Sequence, residues 1–165
     1  MTRRHLSRRS LLLVGLAAVP LCLTAIAAPA EALSGKIREF PVPTASGGAI
    51  GITAGPHGNL WFTEGIGNKI GRITPAGTIT EYPVPTPNSI PHSITAGLDG
   101  NLWFTEINSN QIGHINPTGD HTVTEFPVPA TTTSPFGNLF DITAEPHGGS
   151  LWFTEGAANK IGQLR

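Results

Sequence analysis

Cysteine is nearly absent from this chain. The one present, Cys22, lies in an opening segment that reads as removable, so the remainder holds neither disulfide nor thiol chemistry. No stretch beyond that segment repeats with a helical period, which excludes a helix bundle. A basic patch is also missing, which makes the chain a poor nucleic-acid binder. One long apolar run exists, over residues 11–28. It follows Arg3, Arg4, Arg8 and Arg9 and closes on Ala28-Pro29-Ala30. A basic start, an apolar middle and an A-x-A close describe an export peptide cut before Glu31. Ser7-Arg8-Arg9-Ser10-Leu11-Leu12 is similar to a twin-arginine signal, which implies export after folding to a periplasmic or extracellular location. A retained membrane anchor is the weaker alternative, because Pro20 and Pro29 interrupt the run. Cys22 has no small residue before it, which argues against a lipid anchor.

With residues 1–30 removed, the 10 basic residues fall to 6 against 11 acidic ones, a net charge near −5. The remaining chain is rich in Gly and Pro, but its Trp, Phe, Ile and Val recur at matching positions, so it is folded rather than disordered. The expected organisation is an export peptide over 1–30 and a repeat domain over 31–165, with no membrane attachment after cleavage.

What is present comes three times. Leu60-Trp61-Phe62-Thr63-Glu64 leads to Asn68-Lys69-Ile70-Gly71; Leu102-Trp103-Phe104-Thr105-Glu106 leads to Asn110-Gln111-Ile112-Gly113; Leu151-Trp152-Phe153-Thr154-Glu155 leads to Asn159-Lys160-Ile161-Gly162. The tryptophans are 42 and then 49 residues apart. A strand-rich period of about 40–50 residues is the signature of a propeller or solenoid. Each repeat resolves into strand A (50–54, 93–96, 140–144, each with Ile-Thr-Ala), strand B (the LWFTE core), strand C (70–73, 112–115, 161–164) and strand D (78–84, 122–128). Gly, Pro and Asn punctuate them, which argues an all-β chain of β-propeller-type blades. A further strand D is expected over 36–43, so the order is D, A-B-C-D, A-B-C-D, A-B-C. Three four-stranded blades are too few for a closed propeller, which has about four to eight. The expectation is a partial propeller, or half of an oligomeric ring in which a homodimer gives six blades and the opening strand D completes the partner's last blade.

The repeats supply an internal control. Residues that recur hold up the blade: the tryptophans by packing between blades, Glu64, Glu106 and Glu155 by bonding turn amides, Asn68, Asn110 and Asn159 by serving the tight B–C turn. Residues that break the pattern are better site candidates. His92 stands where the other repeats have Ile50 and Phe140. At the start of A it should meet Glu106, at the end of B, near the axis. Imidazole beside carboxylate can act as a general base, and carboxylates hold hard cations such as Mg²⁺; a lone His in an apolar slot can equally be structural. His57 and His147 read as surface histidines of A–B turns. His121, in a two-residue insertion, reads as solvated loop, and residues 130–138 as a lengthened connection on the His92 face.

The combination Ile-Thr-Ala-Gly-x-x-Gly-Asn-Leu-Trp-Phe-Thr-Glu, Asn-Lys-Ile-Gly-Arg-Ile-Thr-Pro and Ile-Thr-Glu-Tyr-Pro-Val-Pro resembles the virginiamycin B lyase (streptogramin lyase) family over nearly all of residues 36–165. The resemblance implies a seven-bladed propeller fold for full-length members. It also implies Mg²⁺-dependent elimination that opens the ester link of streptogramin B-type cyclic depsipeptides, making a small cyclic peptide the substrate. A histidine serves as base and glutamates hold the metal, a Lewis acid for the developing enolate. That family's Glu-x-His, with a second Glu fourteen residues after the His, is met here by His92 as base and Glu106 as metal ligand. Ile90 replaces the first Glu, and Ile50 and Phe140 stand where a second histidine would fall. Beside this lyase reading stands a non-catalytic extracytoplasmic binding or interaction module of the same fold. A hydrolase of the gluconolactonase type has little support, because no distinctive Glu/Asn/Asp metal set lies outside the repeats.

Overall fold

A computed structural model describes residues 35–129 and 139–165. The chain divides into two units, 1–37 and 38–165; the architecture below is that of the second. The expected export peptide, and the lengthened connection over 130–138, lie outside the described residues.

Among the described residues eleven strands form three antiparallel sheets. β1 (Ala49–Ala54), β2 (Leu60–Glu64), β3 (Lys69–Ile73) and β4 (Ile79–Pro83) make the first blade, in that spatial order. β5 (Pro91–Ala96), β6 (Leu102–Glu106), β7 (Gln111–Ile115) and β8 (Val123–Pro127) make the second. β9 (Leu139–Ala144), β10 (Leu151–Glu155) and β11 (Lys160–Leu164) make the third. β1 lies beside β5 and β5 beside β9, so the first strand of each blade is innermost. No α-helix occurs among the described residues; one turn of 3-10 helix, Pro56–Gly58, joins β1 to β2.

Local chemistry explains the strands. In the B–C hairpin Phe62 faces Gly71, Phe104 faces Gly113 and Phe153 faces Gly162. Each phenyl ring lies flat across the glycine, in the space a Cβ would need, so the Ile-Gly of strand C is a seat for the phenylalanine of strand B. Asn68, Asn110 and Asn159 take φ of 54°, 53° and 52° at the B–C turn, a left-handed conformation that asparagine tolerates better than most residues. The Asn68 amide also donates to the carbonyls of Val84 and Thr86, and Asn110 to Val128, tying the turn to the end of strand D. Every A–B pair carries a register shift, the irregularity of a β-bulge.

The cores lie between blades rather than within them. Trp61, Ile70 and Val84 of the first blade pack with Ile94, Leu102, Phe104 and Ile115 of the second. Ile112 of the second packs with Leu139, Ile142, Leu151 and Phe153 of the third. Hydroxyl bonds repeat across each junction. Thr63 Oγ1 accepts from the Gly51 amide and donates to the His92 carbonyl. Thr105 Oγ1 accepts from Ser93 and donates to the Phe140 carbonyl.

Two expectations are corrected. Residues 38–43 form no strand: no strand edge lies beside them to pair with, whereas the matching segments with the same Pro-Val-Pro ending pair with the third strand of their blades. His121 is not a solvated loop residue. Its ring stacks on Tyr82 at 4.6 Å and lies 5.8 Å from Trp61, so a loop of the second blade caps the aromatic pair of the first.

Candidate functional site

The chemistry-bearing residues separate into two groups. The first is on the innermost strands. His92 follows Pro91 in β5, is half-buried, and directs Nδ1 to the Phe140 carbonyl of β9 at 3.0 Å. A carbonyl only accepts, so Nδ1 carries the proton. In the neutral ring Nε2 is then the free base, and no partner holds it among the described residues. The Phe140 ring meets the imidazole edge-on at 6.2 Å. One residue along, the Ser93 hydroxyl donates to the Asp141 carboxylate across the same junction. Sequence reasoning passed over Ser93 and Asp141, although their repeat counterpart is Gly51 and the same register comparison that singled out His92 would have found them.

Backbone strain marks the entry to this group. Ile90 sits at φ 55°, costly for a β-branched residue by about 1–2 kcal/mol. Its counterpart in the first blade is Gly48, at φ 66°.

The second group lies inside the blades. Glu64 and Glu106 are fully buried on the face that carries Phe62 and Phe104. They do not bond the turn amides as expected. Glu106 accepts from the Ser109 hydroxyl at 3.1 Å, and its other oxygen lies in the space beside Gly113 with no partner. Strand alternation is the reason: the glutamate stands two residues from the phenylalanine and so points to the same side of the sheet. There it faces strand D.

In the first blade that neighbourhood holds a cation. Lys69 Nζ lies 2.7 Å from Glu81 Oε2 and bonds Thr44 Oγ1. Burial works against the Glu81 carboxylate, but Lys69 and the Thr44 hydroxyl and amide hold it below the usual range. Glu64 is pushed up by burial and by the Glu81 charge, with Lys69 opposing. In the second blade Gln111 replaces Lys69 and Glu125 replaces Glu81. Burial, then the Glu125 charge, push Glu106 up to about 7, against the pull of the Ser89 and Ser109 hydroxyls.

No hydrogen bond or ion pair joins His92 to Glu106. The bulge between Pro91 and Ile94 offsets the histidine, and the carboxylate turns into the blade. Among the described residues no three His, Cys, Asp or Glu side chains converge as a metal set, and Ile90 supplies no ligand. The described residues by themselves thus supply fewer than three such ligands to a Mg²⁺ beside His92.

Four-stranded antiparallel sheets set around an axis, with polar side chains on the inner strands, define a β-propeller architecture. Residues 30–165 match the model of the virginiamycin B lyase family, and the chain belongs to that family. It is 52% identical over 42 residues to virginiamycin B lyase of Saccharopolyspora erythraea and 47% identical over 42 residues to that of Bacillus licheniformis; each match takes in 26% of this chain and 14% of the relative. Its fold is similar to the crystal structure of virginiamycin B lyase from Staphylococcus aureus, with TM-score 0.66 and 39% identity over 79% of this chain and 45% of that one. A streptogramin B lyase structure gives TM-score 0.65 and 36% identity, over 77% of this chain and 43% of that one. The chain therefore spans less than half the length of these solved relatives.

Proposed function

We propose that this protein opens the ester link of streptogramin B-type cyclic depsipeptides by elimination, with His92 Nε2 as the base that removes the proton. The observation that carries the reading is the Nδ1–Phe140 carbonyl bond. It fixes the tautomer and leaves Nε2 free on an innermost strand, as a general base requires. A crystal structure of catalytically inactive virginiamycin B lyase from Staphylococcus aureus with quinupristin, 37% identical over 79% of this chain and 57% of that one (TM-score 0.59), supports the substrate class. The reading includes export, on the strength of the Arg-rich, apolar opening stretch; an N-terminus at Glu31 on the protein recovered outside the cytoplasm is the expected result.

One observation favours the second reading, a binding module without turnover: Glu106 is buried in the blade, and no hydrogen bond joins it to His92. One assay separates the two. Incubation with a streptogramin B, with and without added Mg²⁺, is followed by mass spectrometry. A lyase gives a linear product of unchanged mass, and His92→Ala abolishes it. Hydrolysis adds the mass of water and contradicts elimination. Unconverted substrate bound to the protein establishes the binding module instead.

A further inference from the structure

Among the described residues the three blades leave two faces uncovered, and the inter-blade junctions show what fits them. On the leading side, Ile94 and Ile142 are 6% and 4% exposed under the preceding blade, while their counterpart Ile52 is 64% exposed. On the trailing side, Ile70 and Ile112 are 0% and 1% exposed, and their counterpart Ile161 is 65% exposed. Both bare faces are the surfaces used in the two internal junctions, so each is shaped for the other. An open groove of about 300 Å³, lined by Phe40, Ile50, Ile52 and Phe62, lies on the leading side.

The polar groups repeat the same logic. Thr154 Oγ1 accepts from the Asp141 amide as Thr63 and Thr105 do from theirs, but no carbonyl receives its hydroxyl among the described residues. The counterpart of the His92 and Phe140 carbonyls is that of Ile50. Residues 38–44 already sit where the outer strand of a preceding blade belongs. The Thr44 amide and hydroxyl bond Glu81 just as those of Thr86 bond Glu125, and Phe40 lies against Gly77. In that register Glu39 matches Glu81 and Phe40 matches Tyr82. Among the described residues β11 pairs with β10 alone, and Lys160 stands in the position of Lys69.

We propose that two copies of this chain associate head to tail into a six-bladed ring. The trailing face of the third blade of one copy covers the leading face of the first blade of the other, twice, about a two-fold axis. At each junction Lys160 pairs with Glu39 of the second copy as Lys69 pairs with Glu81. Trp152 receives Phe40 as Trp61 receives Tyr82, and Thr154 donates to the Ile50 carbonyl. Residues 38–42 become the fourth strand on the free edge of β11, which removes the unpaired ladder. Six blades lie within the range that closes, about four to eight. The proposal does not depend on any lyase activity.

The test is the mass in solution of the protein as its own gene produces it, by light scattering across a dilution series. Two copies per particle are expected. Lys160→Glu and Glu39→Lys should each weaken association at least about 100-fold, since a like-charge contact then occurs at both junctions, and the double exchange E39K/K160E should restore it. All of these side chains are exposed, so folding, read by circular dichroism, should be untouched. Ile161→Asp should give a folded single copy. A single-copy particle for the parent chain overturns the proposal, as does a mass above two copies. A dimer indifferent to Ile161→Asp, or a double exchange that does not recover, overturns the assigned junction.

Discussion

Replacing Gln111 by lysine tests the internal comparison of the first two blades. In the first, Lys69 stands between buried carboxylates; in the second, the matching Gln111 leaves Glu106 facing Glu125 without a cation, and Glu106 is raised from 4.5 to about 7. Below pH 4.5 the group is protonated in both folded and unfolded chains, so it costs nothing. Between 4.5 and 7 the unfolded chain releases the proton while the folded chain keeps it, so stability falls as pH rises. Above 7 both are ionised and the loss is complete. At about 1.4 kcal/mol per pH unit the loss is about 3 kcal/mol. An ammonium at position 111 favours the ionised carboxylates and offsets part of this. Gln111→Lys is expected to match the parent at pH 4 and to be about 1–2 kcal/mol more stable at pH 8. Urea unfolding followed by tryptophan fluorescence at several pH values gives both curves. A difference that stays constant from pH 4 to 8 would refute the reasoning, as would a variant less stable at pH 8.

Gly71→Ala sets a methyl group into the Phe62 ring and should cost about 1–3 kcal/mol of unfolding free energy by overpacking, measured as a lowered urea midpoint. Thr63→Val leaves the Gly51 amide and the His92 carbonyl without their shared hydroxyl; a loss of about 1–3 kcal/mol is expected, together with faster amide exchange along β1 and β5. His121→Ala uncaps Tyr82 and Trp61, should cost about 1 kcal/mol, and should shift Trp61 emission to longer wavelength.

The blades were legible because their causes are local. Phenylalanine on glycine, asparagine at a left-handed turn and alternation along LWFTE are each settled within a dozen residues. His92 was found by comparing repeats, and the structure gives it a partner that no pattern names: a carbonyl 48 residues away. The expected meeting of His92 and Glu106 came from placing both at the same end of neighbouring strands. Spacing along a strand does not say to which side of a bulge a side chain turns, and here the carboxylate goes into the blade. His121 was misread for a related reason. An insertion in a polar loop has no local mark that distinguishes solvent from a cap on the neighbouring blade.

By itself, then, the sequence determined an all-β chain of three blades, the strand order within each, and the family. These follow from pleat alternation, turn chemistry and a repeat written three times. Only the tertiary structure decided which side chains join across each junction, that residues 38–43 pair with no strand, that Gln111 leaves two carboxylates without a cation, and that the Phe140 carbonyl fixes the His92 tautomer. Contacts across the blades join positions far apart in the chain, as Thr63 to His92 at 29 residues and His92 to Phe140 at 48. They depend on how one twisted sheet lies against the next, a relation that no single repeat encodes.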